Sequence, residues 1–523
     1  MTKPTKNEHK NYQNTTKNTM RTFAFTILFL CLCSSSQAQI IDNRSKTDTP
    51  GRFAHTSDTL VATTLLTDSI ITDSIISDSL PAIEGIPWDA QLQHDLNALA
   101  READLQPFTT GFYVYDLTAD TAIYGYNDSK VMRPASTQKV ITTVSALHLL
   151  GASYPYKTRA CYTGTIQDSV LRGNIYVVGG FDPVFSQSNF ADLVNSVCEL
   201  GIKRIEGRVL ADISMKDSTY WGEGWCWDDA PSPTEPYLTP LMIERGCVVV
   251  RASGNKASTE PQSSFVTMSP RGAGKFSVSR NWMSNGNIIT TTGTGSKSIS
   301  VFRPDLFFVC TLCDRLQERG ISIASPDSSK PIYGIGNLPD TRSVEFFCMT
   351  RTLSQLLNKT LKDSDNLYAE SILYHIAYNK VGKGATAADA RHAIDALIKQ
   401  AGESPASSRV ADGSGVSLYN YTTPRILVAM LRFAHKDKSI FDNFFPALPI
   451  AGMDGTLNMR MTKGNAFGNV HAKTGTVSGV SALAGYVTAS NGNLLAFSII
   501  NNGCLKISNA RALQDKLCQE LAR

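Results

Sequence analysis

The chain has 523 residues, 42% of them apolar and 18% charged; these are globular proportions, with length for two to four domains. Its net charge of +4 sits in the first 38 residues, where Lys3, Lys6, Lys10, Lys17 and Arg21 oppose only Glu8. The remainder is neutral, which argues against a nucleic-acid partner, and the eight histidines form no H-E-x-x-H pattern, so neither metal nor cofactor is expected.

In chain order, residues 1–38 read as an export signal. A positive region ends at Arg21, an apolar run spans Thr22 to Cys33, and Ser36-Gln37-Ala38 is a small-x-small cleavage site. Met1 and Met20 both offer starts. The run is too short for a permanent span, so the mature chain is expected to be exported, to the periplasm. Leu30 and Leu32 precede Cys31 and Cys33 where a lipid-attachment box needs small residues, so lipidation is not expected. No later stretch reads as membrane-spanning and no amphipathic anchor follows the last strand, so membrane association is peripheral at most. Residues 39–85 form a low-complexity linker with the repeat LTDSI-ITDSI-ISDSL, too short to bury a core. Folded structure is expected from Trp88, with a helix over 90–102 and strands near 111–124.

Arg133-Pro134-Ala135 interrupts the chain before Ser136-Thr137-Gln138-Lys139. Val140, Ile141, Val144, Leu147 and Leu150 then recur at roughly helical spacing as far as Gly151. Residues three apart on a helix share a face, so Lys139 can reach Ser136. A serine hydroxyl needs such a base to become a nucleophile, and burial lowers a lysine's pKa toward the neutral form. The head of a helix also favours developing negative charge at Ser136. Ser253-Gly254-Asn255-Lys256 has the same spacing but lies in a turn-rich stretch with no apolar periodicity after it.

Residues 159–339 read as strand-rich. Cys310 and Cys313 lie in the amphipathic run DLFFVCTLCDRLQERG without a second pair, and read as small buried hydrophobes. Nine cysteines remain after cleavage, an odd number that leaves at least one free thiol. Ser364-Asp365-Asn366 heads the run LYAESILYHIAY, and a rigid helix head can present a serine and an amide. Lys473-Thr474-Gly475 is followed by apolar segments at 480–487 and 494–500 and an amphipathic helix over 509–521. That pattern predicts two or three antiparallel strands and a closing helix. Lys473 offers a positive charge to a substrate carboxylate, Thr474 and Thr476 offer hydroxyls, and Gly475 permits close backbone approach.

Together these strings form the S-x-x-K, S-D-N and K-T-G set of penicillin-binding proteins and class A β-lactamases. The 228 residues from Ser136 to Ser364 are too many for a simple β-lactamase-like domain. Further matches are Gly173–Gly180, Gly201–Gly207, Gly224–Asp229, Asp412-Gly-Ser-Gly415 with Ser417 and Asn420, and Ala451–Leu457. On these the segment from Phe112 to Arg523 resembles the low-molecular-mass, class C penicillin-binding proteins of serine peptidase family S13. Phe181 departs from the family, replacing a small residue of a glycine-rich turn; Asp182 is kept, and the change reads as one of packing. The resemblance implies an α/β (α+β) fold, a transpeptidase-like domain whose antiparallel sheet is flanked by helices. That domain takes residues 86–158 and 340–523, interrupted at 159–339 by a strand-rich, two-subdomain insertion, the smaller subdomain at about 165–237.

The resemblance also implies D-Ala-D-Ala carboxypeptidase and endopeptidase activity on peptidoglycan stem peptides, with β-lactams as covalent inhibitors. On this reading Ser136 attacks the carbonyl between the two D-alanines and Lys139 takes its proton. The N–H groups of Ser136 and Thr476 form the oxyanion hole, Ser364 relays a proton to the leaving amine, and Asn366 holds the substrate amide. Lys473, Thr474 and Thr476 bind the terminal carboxylate. Asp229, beside Trp225 and Trp227, resembles a segment overhanging the site, where a carboxylate on a tryptophan platform could pair with a stem-peptide amine such as that of diaminopimelate. The competing reading of Asp228-Asp229 is a turn pair before Pro231. Two other functions compete. A β-lactamase needs a fast deacylating base, and no well-placed glutamate motif stands between Ser364 and Lys473. A non-catalytic wall-binding protein has no need of intact Ser136, Lys139 and Lys473. Carboxypeptidase against endopeptidase preference, the third stem residue and a homodimer stay open.

Overall fold

The computed structural model describes residues 87–523 apart from 230, 231 and 285, and the expected leader and linker lie outside the described residues. Helix α1 (Trp88–Asp104) forms where Leu92, Leu96, Leu99, Ala100 and Ala103 recur at three- and four-residue spacing and bury one stripe. It exceeds the expected 90–102 by two residues at each end, within the usual uncertainty of helix boundaries. Strands β1 (Thr109–Asp116) and β2 (Thr121–Tyr126) pair antiparallel. Helix α2 (Gln138–Leu150) follows a 3-10 turn at Ala135–Thr137. It stops at Gly151, whose φ of 82° is open to glycine and strained for other residues. Helices α3 (Asn366–Val381) and α4 (Pro424–Lys436) come next. Strands β3 (His471–Val477), β4 (Gly479–Thr488) and β5 (Leu494–Cys504) and helix α5 (Ile507–Leu521) close the chain.

The five strands make one sheet in the order β3-β4-β5-β1-β2, antiparallel throughout. Thr109 to Asp116 run in register against Asn502 to Leu495, so early and late segments meet at the sheet's centre. Successive side chains of a strand face opposite ways. Along β4, Ala482, Ala484 and Tyr486 join a core cluster with residues of α2, α3 and α4. Leu483 and Val487 join another with residues of α1 and α5. Both faces of the sheet are therefore covered, the α/β arrangement the sequence leads one to expect.

Between α2 and Leu353 the described residues build four further sheets of three to five strands. In one, Pro155–Thr163 pairs antiparallel with Ser343–Thr352, so the way out of the first helices and the way back run side by side. Helices Gln187–Glu199 and Pro304–Glu318 share a core with these sheets. Cys310 and Cys313 are buried in the second helix, and all nine described cysteines are free thiols. Phe181 is fully buried and packs on Tyr374 of α3 at 5.8 Å between ring centroids, while Asp182 pairs with Arg351 at 2.9 Å. Among the described residues no helix is long and apolar enough to cross a membrane.

Candidate active site

Ser136 lies in the 3-10 turn at the head of α2, 9% exposed. One helical turn on, Lys139 is fully buried. Its Nζ donates to Ser136 Oγ (3.1 Å), Asn366 Oδ1 (2.8 Å) and the Ser414 carbonyl (2.7 Å). Burial pushes the Lys139 pKa down to about 8, against the opposing pull of Asp412, Glu370, Asp365 and Glu235. The turn is held from two sides. A methyl group on Gly475 of β3 would lie 2.7 Å from the Pro134 carbonyl and 3.0 Å from the Ser136 and Thr137 amide nitrogens, and one on Gly415 only 1.9 Å from the Ala135 carbonyl. Glycine at both places lets a strand and a loop close on Ser136.

Ser364 sits just before α3 with a left-handed φ of 61°, and Ala135 beside Ser136 has φ 47°. Non-glycine residues in that region store strain that the surroundings must hold. Asp365 caps α3, accepting from the Tyr368 amide (3.3 Å), so cap and site motif coincide. Lys473 is also fully buried; its Nζ donates to Ser364 Oγ (2.9 Å) and to the Thr474 carbonyl (2.7 Å). Burial lowers its pKa well below the usual lysine value, and the Lys139 charge adds to that. A cleft of about 510 Å³ opens above these groups, lined by Ser136, Ser364, Thr456, Asn458, Met459, Arg460, Thr474, Thr476 and Arg511. Thr474 donates to Thr456 (2.6 Å) and Arg511 reaches Thr476 Oγ1 at 3.5 Å.

Beneath the cleft, the loop at 412–420 is pinned by two buried carboxyls. Asp412 accepts from the amides of Gly415 and Ser417 (2.7 Å each), from Asn420 Nδ2 (2.6 Å) and from Trp225 Nε1 (2.8 Å). Glu370 of α3 accepts from the amides of Gly413 (3.0 Å) and Ser414 (2.9 Å). Its pKa is pushed up to about 8, first by burial and then by the charge of Asp412.

Seven of the eight expected site residues thus meet. Ser136, Ser364, Thr474 and Thr476 line the cleft, while Lys139, Asn366 and Lys473 are joined to it by hydrogen bonds. Asp229 does not line it. Its carboxylate accepts from the Cys226 amide (2.7 Å) and closes a turn, and burial raises its pKa. The expected tryptophan platform is divided: Trp225 is buried on Asp412, whereas Trp227 is 74% exposed and stacks on Trp282. Ser253 and Lys256 face each other across a hairpin, in no helix. Sequence reasoning missed Glu235, Arg245, Glu370, Thr456 and Arg511. Two of these carried a signal: Glu370 is a lone carboxylate within a largely apolar helical run, and Thr456 lies in the Ala451–Leu457 match.

The model of the D-Ala-D-Ala carboxypeptidase 3 (S13) family matches residues 92–523. Curated relatives include the D-alanyl-D-alanine carboxypeptidase DacB of Haemophilus influenzae, 27% identical over 414 residues, spanning 75% of this chain and 85% of the relative. Another is the D-alanyl-D-alanine carboxypeptidase of Actinomadura sp. R39, 27% identical over 451 residues, 79% and 81% of the two chains. Among solved structures, penicillin-binding protein 4 of Haemophilus influenzae superposes with a TM-score of 0.71 at 24% identity, covering 82% of this chain and 98% of that one.

Proposed function

The chain belongs to the D-Ala-D-Ala carboxypeptidase 3 (S13) family, and from that premise we propose that it is a serine-type D-alanyl-D-alanine carboxypeptidase and endopeptidase that cleaves peptidoglycan stem peptides through a Ser136 acyl-enzyme. The observation that carries this reading is the set of three hydrogen bonds around Lys139 Nζ. A neutral amine has two N–H donors and one lone pair. The Ser414 and Asn366 oxygens are acceptors only, so they take the two N–H groups and the lone pair is left facing Ser136 Oγ. The buried lysine is therefore arranged as a general base.

The steps follow from the neighbours. Ser136 Oγ forms a bond to the carbonyl carbon between the D-alanines as its proton passes to Lys139. The oxyanion is held by the Ser136 and Thr476 N–H groups, which the missing side chain of Gly475 allows close together. The C–N bond then breaks, and the leaving amine takes a proton through Ser364, itself bonded to Lys473. Asn366 holds the substrate amide, and Lys473, Thr474 and Thr476 the terminal carboxylate, with Arg511 beside them. Water releases the acyl group. A β-lactam follows the same first steps. Among the described residues no carboxylate lines the cleft, and Glu370 is held by loop amides, so rapid turnover of a penicilloyl-enzyme is not expected.

The transpeptidase-like part is assigned to 86–158 and 340–523 and the insertion to 159–339, its smaller part at about 165–237; Pro155–Thr163 and Ser343–Thr352 pair within one sheet that also holds Ile175–Val178 and Val209–Asp212, which favours ends of the insertion nearer 155 and 352. Export to the periplasm belongs to the same reading, and sedimentation separates a homodimer from a monomer. Asp229 retains its amine-binding role here as a residue to be tested: Asp229→Asn should lose activity selectively on a stem peptide with a free side-chain amine, while an equal loss on the acetylated peptide leaves it a turn residue.

The test of the activity is release of D-alanine from a stem pentapeptide together with the lifetime of a labelled penicillin adduct. D-alanine release with a persistent adduct is expected. Rapid loss of the adduct favours a β-lactamase, and absence of both a non-catalytic protein.

A further inference from the structure

An amide side chain is nearly symmetric in shape, so whether its oxygen or its nitrogen points a given way is decided by its partners. At Asn366 this choice matters. With Oδ1 on Lys139 the neutral amine aims its lone pair at Ser136. With Nδ2 there instead, donor would face donor, and the lone pair would be drawn to the amide.

The partner on the other side of Asn366 comes from the segment after Trp227. Asn366 Nδ2 donates to Glu235 Oε1 at 2.8 Å. An ionised carboxylate is an acceptor only, so Glu235 fits one orientation of the amide and repels the other. Glu235 is itself placed with care. Its Oε2 accepts from the hydroxyls of Ser232 (2.8 Å) and Thr234, and its amide donates back to Ser232 Oγ (3.1 Å). The turn is then locked to α3. Arg245 forks onto Asp365, the residue before Asn366, at 2.9 and 3.1 Å, and holds the Pro233 carbonyl with the same guanidinium (3.1 Å). Among the described residues Glu235 makes no ion pair, so its contact with Asn366 is not the by-product of a salt bridge elsewhere.

We propose that Glu235 is a positioning residue for acyl transfer: it fixes the Asn366 amide with its oxygen on Lys139, so that the turn carrying it completes the base of the catalytic group. The inference rests on the Ser136 acyl-enzyme reading and deepens it. It gives the Ser232–Arg245 segment a chemical duty at a site whose three motifs all lie elsewhere in the chain.

The test measures acylation of the full chain by a labelled penicillin from pH 6 to 10, with melting temperatures in parallel. Glu235→Gln can present an amide nitrogen to Asn366 and so loses the choice of orientation. Its plateau rate should fall about tenfold or more at an unchanged melting temperature. The charges facing Lys139 are Asp412, Glu370, Asp365 and Glu235, with Lys473 opposing them. Removing Glu235 should therefore also move the acid limb of the rate to lower pH. A merely structural residue would lower the melting temperature and leave the plateau in place, and that result overturns the inference. Asn366→Asp supplies a second measure. The new carboxylate presents oxygen to Lys139 either way round but stands against that of Glu235, so adding Glu235→Gln should raise the rate of this variant. A further fall by the same factor as in the wild-type background overturns the orientation argument. If wild type labels at Ser136 and Glu235→Gln labels equally fast, this inference fails alone; if wild type does not label, the acyl-enzyme reading fails with it.

Discussion

Two wholly buried lysines stand in one site, and their surroundings differ. Lys139 has four carboxyl groups around it, whereas no carboxyl offsets the burial of Lys473, and Lys139 repels it. Penicillin acylation should therefore be slow at acid pH and rise through a limb near the Lys139 value of about 8, as the ammonium form gives way to the base; a pH profile checks this, and a rate falling across that window would contradict it. On the proposed reading, the substrate carboxylate supplies Lys473 with its missing counter-charge. Because burial lowers the Lys473 pKa, binding of a D-Ala-D-Ala peptide to the Ser136→Ala protein should raise it again, and calorimetry across a pH series in buffers of different ionisation enthalpy reads the accompanying proton uptake directly. Lys473→Met keeps the volume without the charge, and should lose both the uptake and about tenfold or more in kcat/KM. Glu370 gives a stability prediction. Its folded pKa of about 8 lies above its usual 4.5, so the stability it contributes is complete below about 4.5 and is lost as pH rises through 8. Glu370→Gln escapes that loss, and its melting temperature should gain on wild type between pH 5 and 9.

Local elements carry these groups, and they differ in how openly their sequences announce them. α1 and α5 have one apolar stripe each and are legible from spacing alone. α3 is buried over every residue from Leu367 to Ala377, so its sequence shows no polar face, and only the Asp365 cap marks where it begins. The turn at 232–235 is short, polar and aperiodic; nothing in Ser-Pro-Thr-Glu foretells that its glutamate reaches Asn366. The Asp228-Asp229 pair was legible as a turn, and the structure gives Asp229 that geometry. Strand β3 approaches the Ser136 turn closely. Gly475→Ala should force them apart, since a methyl would meet the Pro134 carbonyl at 2.7 Å. We expect penicillin acylation to fall about a hundredfold in a protein that still folds, measured as a second-order rate; an unchanged rate would show that the strand can retreat without harm. In α1, Leu96→Ala removes a fully buried side chain and should cost about 2–5 kcal/mol, measured by denaturant unfolding.

At the scale of the molecule, the proposed catalytic group is assembled from points hundreds of residues apart. Ser136 and Lys139 come before the inserted sheets, Ser364 and Asn366 after them, and Lys473 from the edge strand of the sheet whose centre joins β1 to β5. The order and identity of the three motifs were legible because each has a local pattern: a helical run after Ser136, a cap at Asp365, strands around Lys473. The long-range partners were not, because Glu235 and Arg511 carry no pattern that separates them from other polar residues. The central claim is that this assembly makes Ser136 the acylated nucleophile. Intact-protein mass measurement after exposure to penicillin tests it most directly. The wild-type chain and Ser253→Ala should each gain one covalent penicilloyl group, and Ser136→Ala none at an unchanged circular-dichroism spectrum. Labelling of Ser136→Ala at the wild-type level would contradict the account.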